Sequence, residues 1–256
     1  MIPCRLHIDP PAAGVWNMAV DEGLLEQAAG AGLAALRFYQ WCEPTLSLGY
    51  FQRYDDRRQH AASAQAAVVR RLSGGGALVH DRELTYSLCL PASHPLAGQS
   101  PRLYGVVHAA LIDVLGELGV QARLYRDQAP AAEPAAPDEP FLCFARRTAA
   151  DVVLVHPAGG DAGKIVGSAQ RRRRGAVLQH GAVLMAPSSA APELPAIARD
   201  ERHMLAPEAL VHLLGTALES RLGLRLEPAV YSSEFLAEIE RRLAPKHASA
   251  AWLMRR

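Results

Sequence analysis

Strand-like segments fill the middle of this chain, and segments with helical spacing lie around them and towards both ends. Apolar residues that alternate or form short runs predict strands, whereas apolar residues spaced three or four apart predict helices. The predicted strands cover residues 36–39, 45–48, 67–72, 77–80, 84–90, 151–155, 164–170 and 177–185, and the predicted helices cover 15–29, 103–118, 207–221 and 233–243. Because the two types do not alternate regularly, the sequence predicts an α+β fold with mixed or antiparallel sheets and flanking helices.

Composition excludes several classes of protein. Half of the 256 residues are hydrophobic, which suffices for a large core and excludes a disordered chain or a small disulfide scaffold. The chain has 27 basic and 26 acidic residues, so we expect no general attraction to nucleic acid or to a membrane surface. No apolar run is long enough for a membrane helix, and residues 1–11 lack the apolar core of a signal peptide. The cysteines are widely separated, which argues against a metal site and for free thiols in the cytoplasm.

Residues 70–81 contain the first candidate for a binding site. They read Arg-Arg-Leu-Ser-Gly-Gly-Gly-Ala-Leu-Val-His-Asp and place three consecutive glycines between two predicted strands. Glycines let a backbone approach a ligand closely, and their N–H groups can surround an anion. A hairpin turn is the alternative interpretation. The two arginines before the glycines and the His-Asp pair after them favour a ligand-binding loop.

Lysine is rare in this sequence. Among the 27 basic residues only Lys164 and Lys246 are lysines, although arginine and lysine differ in hydration and in how readily they lose a proton. We interpret Lys246, near the end, as a chance survivor. Lys164 stands after a glycine-containing turn at residues 159–163, where it could polarise a carbonyl or bind a carboxylate or phosphate. A solvated lysine at a strand end is the alternative.

Three further features carry candidate chemistry. Cys143 follows a proline-rich stretch, residues 128–140, which is predicted to be a loop, and a loop-to-strand junction can present a thiolate. A buried and inert thiol is the alternative, and taken alone a cysteine flanked by aromatic residues favours it. The run Arg171–Arg174 lacks interleaved aromatic residues, so a solvated rim or a contact for an acidic protein is favoured over nucleic-acid binding. His180 lies within an apolar strand, where a satisfied core histidine and a functional one are equally compatible with the pattern.

Several motifs occur together in one order and spacing. They are Trp-Asn-Met-Ala-Val-Asp at residues 16–21, Leu-Ser-Leu-Gly-Tyr-Phe-Gln at 46–52, the glycine loop at 70–76, Gly-Lys-Ile-Val-Gly-Ser-Ala-Gln-Arg-Arg at 163–172 and Leu-Gln-His-Gly at 178–181. The set resembles the biotin/lipoate protein ligase and octanoyltransferase family over roughly residues 10–190. The resemblance implies a single catalytic domain over residues 1–256 with an acyl tunnel beside the glycine loop. Residues 200–256 are expected to form a small helical extension or a packed tail.

Two branches of this family differ in chemistry. The resemblance of Cys143-Phe144 and of residues 80–87 to octanoyltransferases favours a branch that takes octanoyl from acyl carrier protein through an enzyme cysteine. Gly76 points the other way, because that branch commonly has arginine there and triple glycine is common in ligases. The alternative is therefore a lipoate-protein ligase that uses ATP and Mg²⁺ to form lipoyl-adenylate, and a non-catalytic acyl-binding module is a third possibility. The transferase needs no cofactor.

For the transferase, the resemblance implies a donor, an acceptor and a set of site residues. The donor would be octanoyl-acyl carrier protein, and the acceptor would be a lysine of a lipoyl domain or of the glycine cleavage H protein. Cys143 would be the nucleophile, and Lys164 would favour its thiolate and stabilise the oxyanion. The residues expected to bind substrate are Arg70, Arg71, Ser73, Gly74, Gly75, Gly76, His80, Gly167, Ser168, Ala169 and His180, and no metal ligand is expected.

Overall fold

The computed structural model describes residues 1–125, 140–156 and 159–256. The described residues form eleven strands: β1 Ile2–Ile8, β2 Ala34–Tyr39, β3 Thr45–Leu48, β4 Ala67–Arg70, β5 Leu78–His80, β6 Glu83–Leu90, β7 Ala122–Leu124, β8 Val152–Val155, β9 Asp161–Arg173, β10 Ala176–Leu184 and β11 Leu224–Pro228. The α-helices are α1 Gly14–Ala31, α2 Ser100–Glu117, α3 Pro207–Leu222, α4 Ser233–Glu238, α5 Ala244–Ala248 and α6 Ala250–Leu253, with a π-helical turn at Ile239–Leu243 between α4 and α5. The predicted α+β fold with mixed sheets and flanking helices is confirmed.

Eight strands form one sheet in the order β11-β1-β2-β6-β10-β9-β8-β7. The pairs β11-β1 and β1-β2 are parallel, and the pairs from β2 to β7 are antiparallel. The hairpin between β9 and β10 turns at Arg174 and Gly175, both with positive φ (46° and 84°), as a two-residue turn of this hand requires. The arginine run therefore forms the end of β9 and the turn that follows it.

Helices cover both faces of the large sheet, and successive strand residues point to opposite faces. Leu88 packs in a cluster with side chains of α2 and α3, whereas its neighbour Cys89 packs with α1 and with the segment from Phe235 to Leu243. This double coverage explains why every residue of β6 is buried, including its polar ones. Helix α1 ends at Gly32, whose φ of 69° gives the left-handed C-cap conformation that glycine adopts without strain.

The glycine loop connects two strands that do not pair with each other. In the three-stranded sheet, β3 lies in the centre, parallel to β4 and antiparallel to β5. Residues 71–77 therefore cross over the end of β3 instead of closing a hairpin. The hairpin interpretation of the three glycines is wrong, because β3, far earlier in the chain, occupies the position between the two flanking strands.

The predicted elements agree with the structure in their centres and differ at several ends. Strand β9 begins at Asp161, inside the segment predicted as a turn, and it continues to Arg173. The helix predicted over residues 233–243 changes from α to π geometry at Ile239. The loop predicted over residues 128–140 lies outside the described residues except for its last position. Strands β1, β7 and β11 were not predicted, because proline and charged residues interrupt their apolar pattern. No helix in the described ranges is long and apolar enough to cross a bilayer.

Candidate active site

The glycine loop is held against the end of β3 by a contact that only glycine permits. A Cβ on Gly49 would stand 2.0 Å from the carbonyl oxygen of Gly75. The Tyr50 N–H donates to the Ser73 carbonyl at 2.8 Å, which fixes the start of the loop against the same segment. Gly75 itself has a φ of 92°, in the region that side chains disfavour. The Leu-Gly-Tyr motif at residues 48–50 and the three glycines are thus two halves of one backbone contact.

Arg71 lies beneath this loop and organises it. The side chain is 2% exposed. One terminal nitrogen donates to the Ser47 carbonyl at 2.8 Å, and the other donates to the carbonyls of Gly74 and Gly76 at 2.9 and 2.5 Å. Burial lowers the pKa of Arg71 to about 10, against a smaller opposing effect of the nearby Cys143. The cation is therefore fixed at the inner side of the glycine loop.

Cys143 is placed beside the glycine loop by backbone hydrogen bonds to Ala77. The Ala77 N–H donates to the Phe141 carbonyl at 3.0 Å, and the Cys143 N–H donates to the Ala77 carbonyl at 2.7 Å. A Cβ on Gly76 would lie 3.0 Å from both the Phe141 oxygen and the Cys143 nitrogen, closer than side chains normally come. The third glycine, which differs from the expected transferase pattern, therefore has a local reason: it lets the cysteine segment approach the loop.

Lys164 extends from β9 to the same thiol. Its Nζ lies 3.7 Å from Cys143 Sγ and donates to the Cys143 carbonyl at 3.2 Å. The same Nζ forms an ion pair with Asp151 Oδ1 at 3.0 Å, and both side chains are buried. A Cβ on Gly167 would stand 2.7 Å from Lys164 Cε, so this glycine makes room for the lysine side chain. Cysteine, lysine and carboxylate thus form one buried cluster.

A narrow cavity of about 60 Å³ begins at this cluster and runs between the two sheets. Among its lining residues are nine that the sequence analysis predicted, namely Arg71, Gly74, Gly75, His80, Cys143, Gly167, Ser168, Ala169 and His180. Of the other predicted residues, Ser73 hydrogen-bonds a lining histidine, Gly76 contacts the cysteine segment and Lys164 contacts the thiol. The remaining lining residues are Met18, Tyr39, Trp41, Leu78, Thr85, Gly181 and Ala182.

His180 reaches the cavity from β10 and links the glycine loop to α1. Its Nε2 lies 2.6 Å from Ser73 Oγ, and its Nδ1 lies 3.0 Å from Asp21 Oδ2. The Asp21 carboxylate also accepts from Arg37 at 2.9 Å. Burial raises the pKa of Asp21, but hydrogen bonding by His180 and the charge of Arg37 outweigh burial and lower it. An ionised Asp21 favours an Nδ1–H donor on His180, so the Nε2 of a neutral ring accepts from Ser73.

His80 forms a similar chain on the other side of the cavity. Its Nε2 lies 2.7 Å from Ser47 Oγ, and its Nδ1 lies 2.6 Å from Glu83 Oε1. The ring stacks on Trp41 with centroids 3.8 Å apart. The Trp41 indole N–H donates to Thr85, whose hydroxyl donates to Glu83. These bonds hold the aromatic part of the lining in one arrangement.

Ser168 belongs to a third chain of hydrogen bonds. Its Oγ lies 2.7 Å from His108 Nε2 and 2.6 Å from the Tyr86 hydroxyl. His108 Nδ1 lies 2.5 Å from the Ala150 carbonyl, which can only accept, so this nitrogen carries a proton. Burial lowers the pKa of His108, which favours the neutral ring with Nε2 as acceptor. Because Ala150 precedes Asp151, this chain connects the cavity lining to the carboxylate that binds Lys164.

Arg70 lies outside the cavity lining and holds the C-terminal segment. Its guanidinium donates to the carbonyls of Gly49 and Gln52 at 2.8 and 2.7 Å and to that of Leu253 at 3.0 and 2.7 Å. The Trp252 indole N–H donates to the Arg70 carbonyl at 3.0 Å. The described contacts of Arg70 are therefore with the chain itself, and they support the glycine loop from behind.

Lys246 has a structural role and is not a lysine retained by chance. Its Nζ lies 2.6 and 2.7 Å from the two carboxylate oxygens of Glu22 and 4.2 Å from the Trp252 ring centroid. His247 Nε2 also lies 2.9 Å from Glu22. Burial raises the pKa of Glu22, but hydrogen bonds from His247 and Lys246 outweigh it and lower the pKa to about 2. This cluster fastens the C-terminal helices to α1.

Asp151 and the aromatic end of the cavity were not predicted from the sequence. Asp151 is the first residue of a predicted strand and carries no motif of its own, so only the fold shows that it reaches Lys164. Tyr39 is the last residue of β2, and Trp41 lies two positions after it. Their aromatic side chains were the one signal in the sequence that could have indicated them. In the described part of the chain, no group of three or more His, Cys, Asp or Glu residues is arranged to hold a metal ion.

The chain is similar to known proteins over most of its length. It is 37% identical over 185 residues to the octanoyltransferase LipM of Kyrpidia tusciae, covering 71% of this chain and 65% of that protein. It is 34% identical over 269 residues to the octanoyltransferase LipM of Moorella thermoacetica, covering 94% and 93%. The chain therefore spans slightly less than two thirds of the first relative and nearly all of the second.

The fold is similar to that of a solved structure. A bipartite lipoate protein ligase of Thermoplasma acidophilum, described with its E2 lipoyl domain, superposes with a TM-score of 0.73 at 18% identity, covering 99% of this chain and 97% of that one. Residues 14–202 match the catalytic domain of lipoyl protein ligases A and B, and they include the glycine loop, Cys143 and Lys164. The chain belongs to the lipoyl protein ligase A/B catalytic domain family.

Proposed function

We propose that this protein is an octanoyltransferase that moves an octanoyl group from acyl carrier protein to a lysine of a lipoyl carrier domain through a thioester on Cys143. The observation that carries the proposal is the position of Cys143 Sγ, 3.7 Å from Lys164 Nζ at the wall of a narrow cavity. The two LipM octanoyltransferases support the acyl group and the reaction type. A ligase that activates a free acid has no need for a thiol at this point.

In the first half-reaction the Cys143 thiolate attacks the carbonyl carbon of the octanoyl thioester. The new bond joins Sγ to this carbon, and the bond to the carrier's thiol breaks, so the carrier leaves as a thiolate that takes a proton from solvent. The free energy of this half-reaction is small, because one thioester replaces another. Lys164 Nζ stabilises the negative charge that develops on the carbonyl oxygen of the intermediate.

In the second half-reaction the amine of the acceptor lysine attacks the same carbon. A C–N bond forms, the bond to Cys143 Sγ breaks, and the amine loses a proton to yield a stable amide. The thioester on the enzyme is sufficiently activated for an amine, so ATP is not required and no nucleotide enters the cycle. His180 is a candidate for the proton acceptor, since it lines the cavity and its Nε2 lies 2.6 Å from Ser73 Oγ.

The octanoyl chain fits the character of the cavity wall. Seven carbons follow the carbonyl, and burial of a CH₂ group contributes about 0.8 kcal/mol, so full burial contributes about 5 kcal/mol to binding. Met18, Leu78 and Ala182 provide apolar surface, and Gly74 and Gly75 provide a wall without side chains. A tunnel of this kind selects chain length by its depth.

The acceptor is proposed to be a lipoyl domain, or the glycine cleavage H protein, and the donor an acidic carrier protein. The lipoyl domain is suggested by the archaeal ligase described together with its E2 lipoyl domain. Arg171 and Arg172 at the end of β9, with Arg255 stacked on Tyr50 at 3.9 Å, form a cationic surface near the glycine loop. Such a surface increases the association rate of acidic partners more than their affinity.

A transfer assay without nucleotide tests this function. The enzyme is mixed with octanoyl-acyl carrier protein and a lipoyl domain, and octanoylation of the domain is followed by mass. We expect transfer by the wild type and by Cys42→Ala, a control that removes an exposed thiol, and none by Cys143→Ala. Transfer that requires ATP and free lipoate, and that persists in Cys143→Ala, would identify a lipoate ligase.

A further inference from the structure

The charges around Cys143 are not equivalent. Lys164 is its nearest cation, but Lys164 Nζ is 3.0 Å from a carboxylate oxygen of Asp151. Both side chains are almost fully buried, at 3% and 5% exposure, so solvent screens this pair little. A lysine paired this closely with a carboxylate presents a nearly neutral unit to a third group. Lys164 can still donate hydrogen bonds, but it contributes little net positive potential at the thiol.

Arg71 is a buried cation that has no carboxylate partner within the described ranges. Among the described residues its terminal nitrogens donate to the backbone carbonyls of Ser47, Gly74 and Gly76 and to the Ser47 hydroxyl, and none donates to Asp or Glu. Its Nε is buried and has no hydrogen-bond partner in the described structure. A buried charge that lacks a counter-ion is costly, so its retention calls for an anion nearby.

The thiol is placed to supply that anion. A Cβ built on Gly75 would stand 3.2 Å from Arg71 Nη2 and 4.0 Å from Cys143 Sγ, so the guanidinium and the thiol flank the same point. Among the groups that act on Arg71, Cys143 has the largest effect favouring the cation. Gly75 has no side chain, and no atom of a side chain at that position can separate the two groups.

We propose that Arg71 is the counter-ion of the Cys143 thiolate, while the Lys164–Asp151 pair positions the donor hydrogens that stabilise the oxyanion. This division of roles rests on the proposed function, because it assigns the charge that a nucleophilic thiol needs. It differs from the expectation drawn from sequence, which gave both tasks to Lys164 and gave Arg71 a place among the residues that bind substrate. The guanidinium acts before substrate arrives, by stabilising the anion.

Other charged or titratable groups face the thiol. They are Asp151, which immediately precedes β8, Lys164 from β9, Arg146 from the turn that contains Cys143, and Tyr104 from α2. Burial raises the pKa of Tyr104 well above its ordinary value, which keeps the phenol neutral. Arg146 is intermediate in exposure and its Nε donates to the Pro140 carbonyl at 2.6 Å, so solvent weakens its effect. Arg71 is thus the most deeply buried cation without a carboxylate in this group.

The pH dependence of alkylation tests the proposal. Iodoacetamide reacts with thiolates, so the pH midpoint of its reaction with Cys143 reports the balance of charges at that thiol. The parent is Cys42→Ala. Burial raises the pKa of Cys4 to about 12 and the pKa of Cys89 well above its ordinary value, so both remain unreactive. Peptide mass mapping confirms the alkylated residue.

We expect Arg71→Gln to move this midpoint up by about one unit, so that alkylation below the midpoint slows about tenfold. Arg71→Lys, which keeps the charge, should move it less. The double variant Lys164→Met/Asp151→Asn removes both members of the Lys164–Asp151 ion pair. It should shift the midpoint of Cys143 alkylation by less than half of the shift caused by Arg71→Gln. An unchanged midpoint in Arg71→Gln, or a larger shift in the double variant, would overturn the proposal.

The measurement remains decisive if Arg71→Gln disrupts the glycine loop, and it tests the charge assignment separately from the thioester mechanism. If Arg71→Gln does not fold, as judged by circular dichroism, the double variant decides: an unchanged midpoint supports Arg71, and an increase of one unit or more assigns the charge to Lys164. No acyl donor is present in this measurement. Failure of octanoyl transfer with the expected midpoints would therefore reject the thioester mechanism and leave the charge assignment standing.

Discussion

The close contact between Gly49 and Gly75 predicts that a methyl group at position 49 displaces the glycine loop. In Gly49→Ala the new methyl would stand 2.0 Å from the Gly75 carbonyl oxygen, whereas an ordinary contact needs more than 3 Å, so the glycine loop must move by about 1 Å. Overpacking of this kind costs about 1–3 kcal/mol, and loss of the 2.8 Å bond between Tyr50 N–H and the Ser73 carbonyl adds about 1 kcal/mol. We expect the free energy of unfolding to fall by about 2–4 kcal/mol.

The same displacement should reduce catalysis, because Gly75 lies between Arg71 and Cys143. A misplacement of about 1 Å can lower a rate about a hundredfold, so we expect acylation of Cys143 to slow by about that factor in a single-turnover assay. Gly105→Ala is the matched control: its Cβ meets nothing within 4 Å in α2, and alanine favours the helix. If Gly49→Ala has the same stability and acylation rate as Gly105→Ala, the contact between Gly49 and Gly75 does not position the glycine loop.

Two further changes concern the C-terminal segment. Glu22→Gln removes a carboxylate whose folded-state pKa of about 2 lies below its ordinary value of 4.5, so the variant should lose about 3 kcal/mol at pH 7. Because the folded-state pKa is the lower one, the difference in unfolding free energy between wild type and Glu22→Gln should narrow as the pH falls from about 4.5 towards 2. Denaturant unfolding at several pH values measures this difference, and a difference independent of pH would contradict the assignment. Trp252→Phe keeps an aromatic ring, although a smaller one, but removes the N–H that donates to the Arg70 carbonyl. We expect thermal unfolding to show a loss of about 1 kcal/mol, against no loss if that bond is unimportant.

The sequence predicted the centres of the elements because apolar periodicity survives wherever one element packs on another. Helix α1 and strands β6 and β10 are examples, since each is buried by neighbours on more than one side. Strand β1 was missed because Pro3 and Arg5 interrupt its pattern, and its pairing with β11 joins residues more than 200 positions apart. Pairing over such distances leaves no local signal.

The candidate site was predictable where glycine or an unusual lysine marked it. The three glycines and Lys164 directed attention to the segments that the fold brings together with Cys143. Asp151 was not predicted, because a single aspartate before a strand has no distinctive spacing. The structural roles of Arg70 and Lys246 could not be predicted either, since Arg70 binds Leu253, 183 residues away, and Lys246 binds Glu22, 224 residues away.

The proposed function depends on covalent attachment of the octanoyl group to Cys143. Intact mass of the protein is measured after incubation with octanoyl-acyl carrier protein in the absence of nucleotide and acceptor, for the wild type and for Cys143→Ala. We predict a single octanoyl adduct on the wild type that hydroxylamine removes and that Cys143→Ala lacks. An unmodified wild type that nevertheless octanoylates a lipoyl domain, or an equal adduct on Cys143→Ala, would exclude a thioester on Cys143.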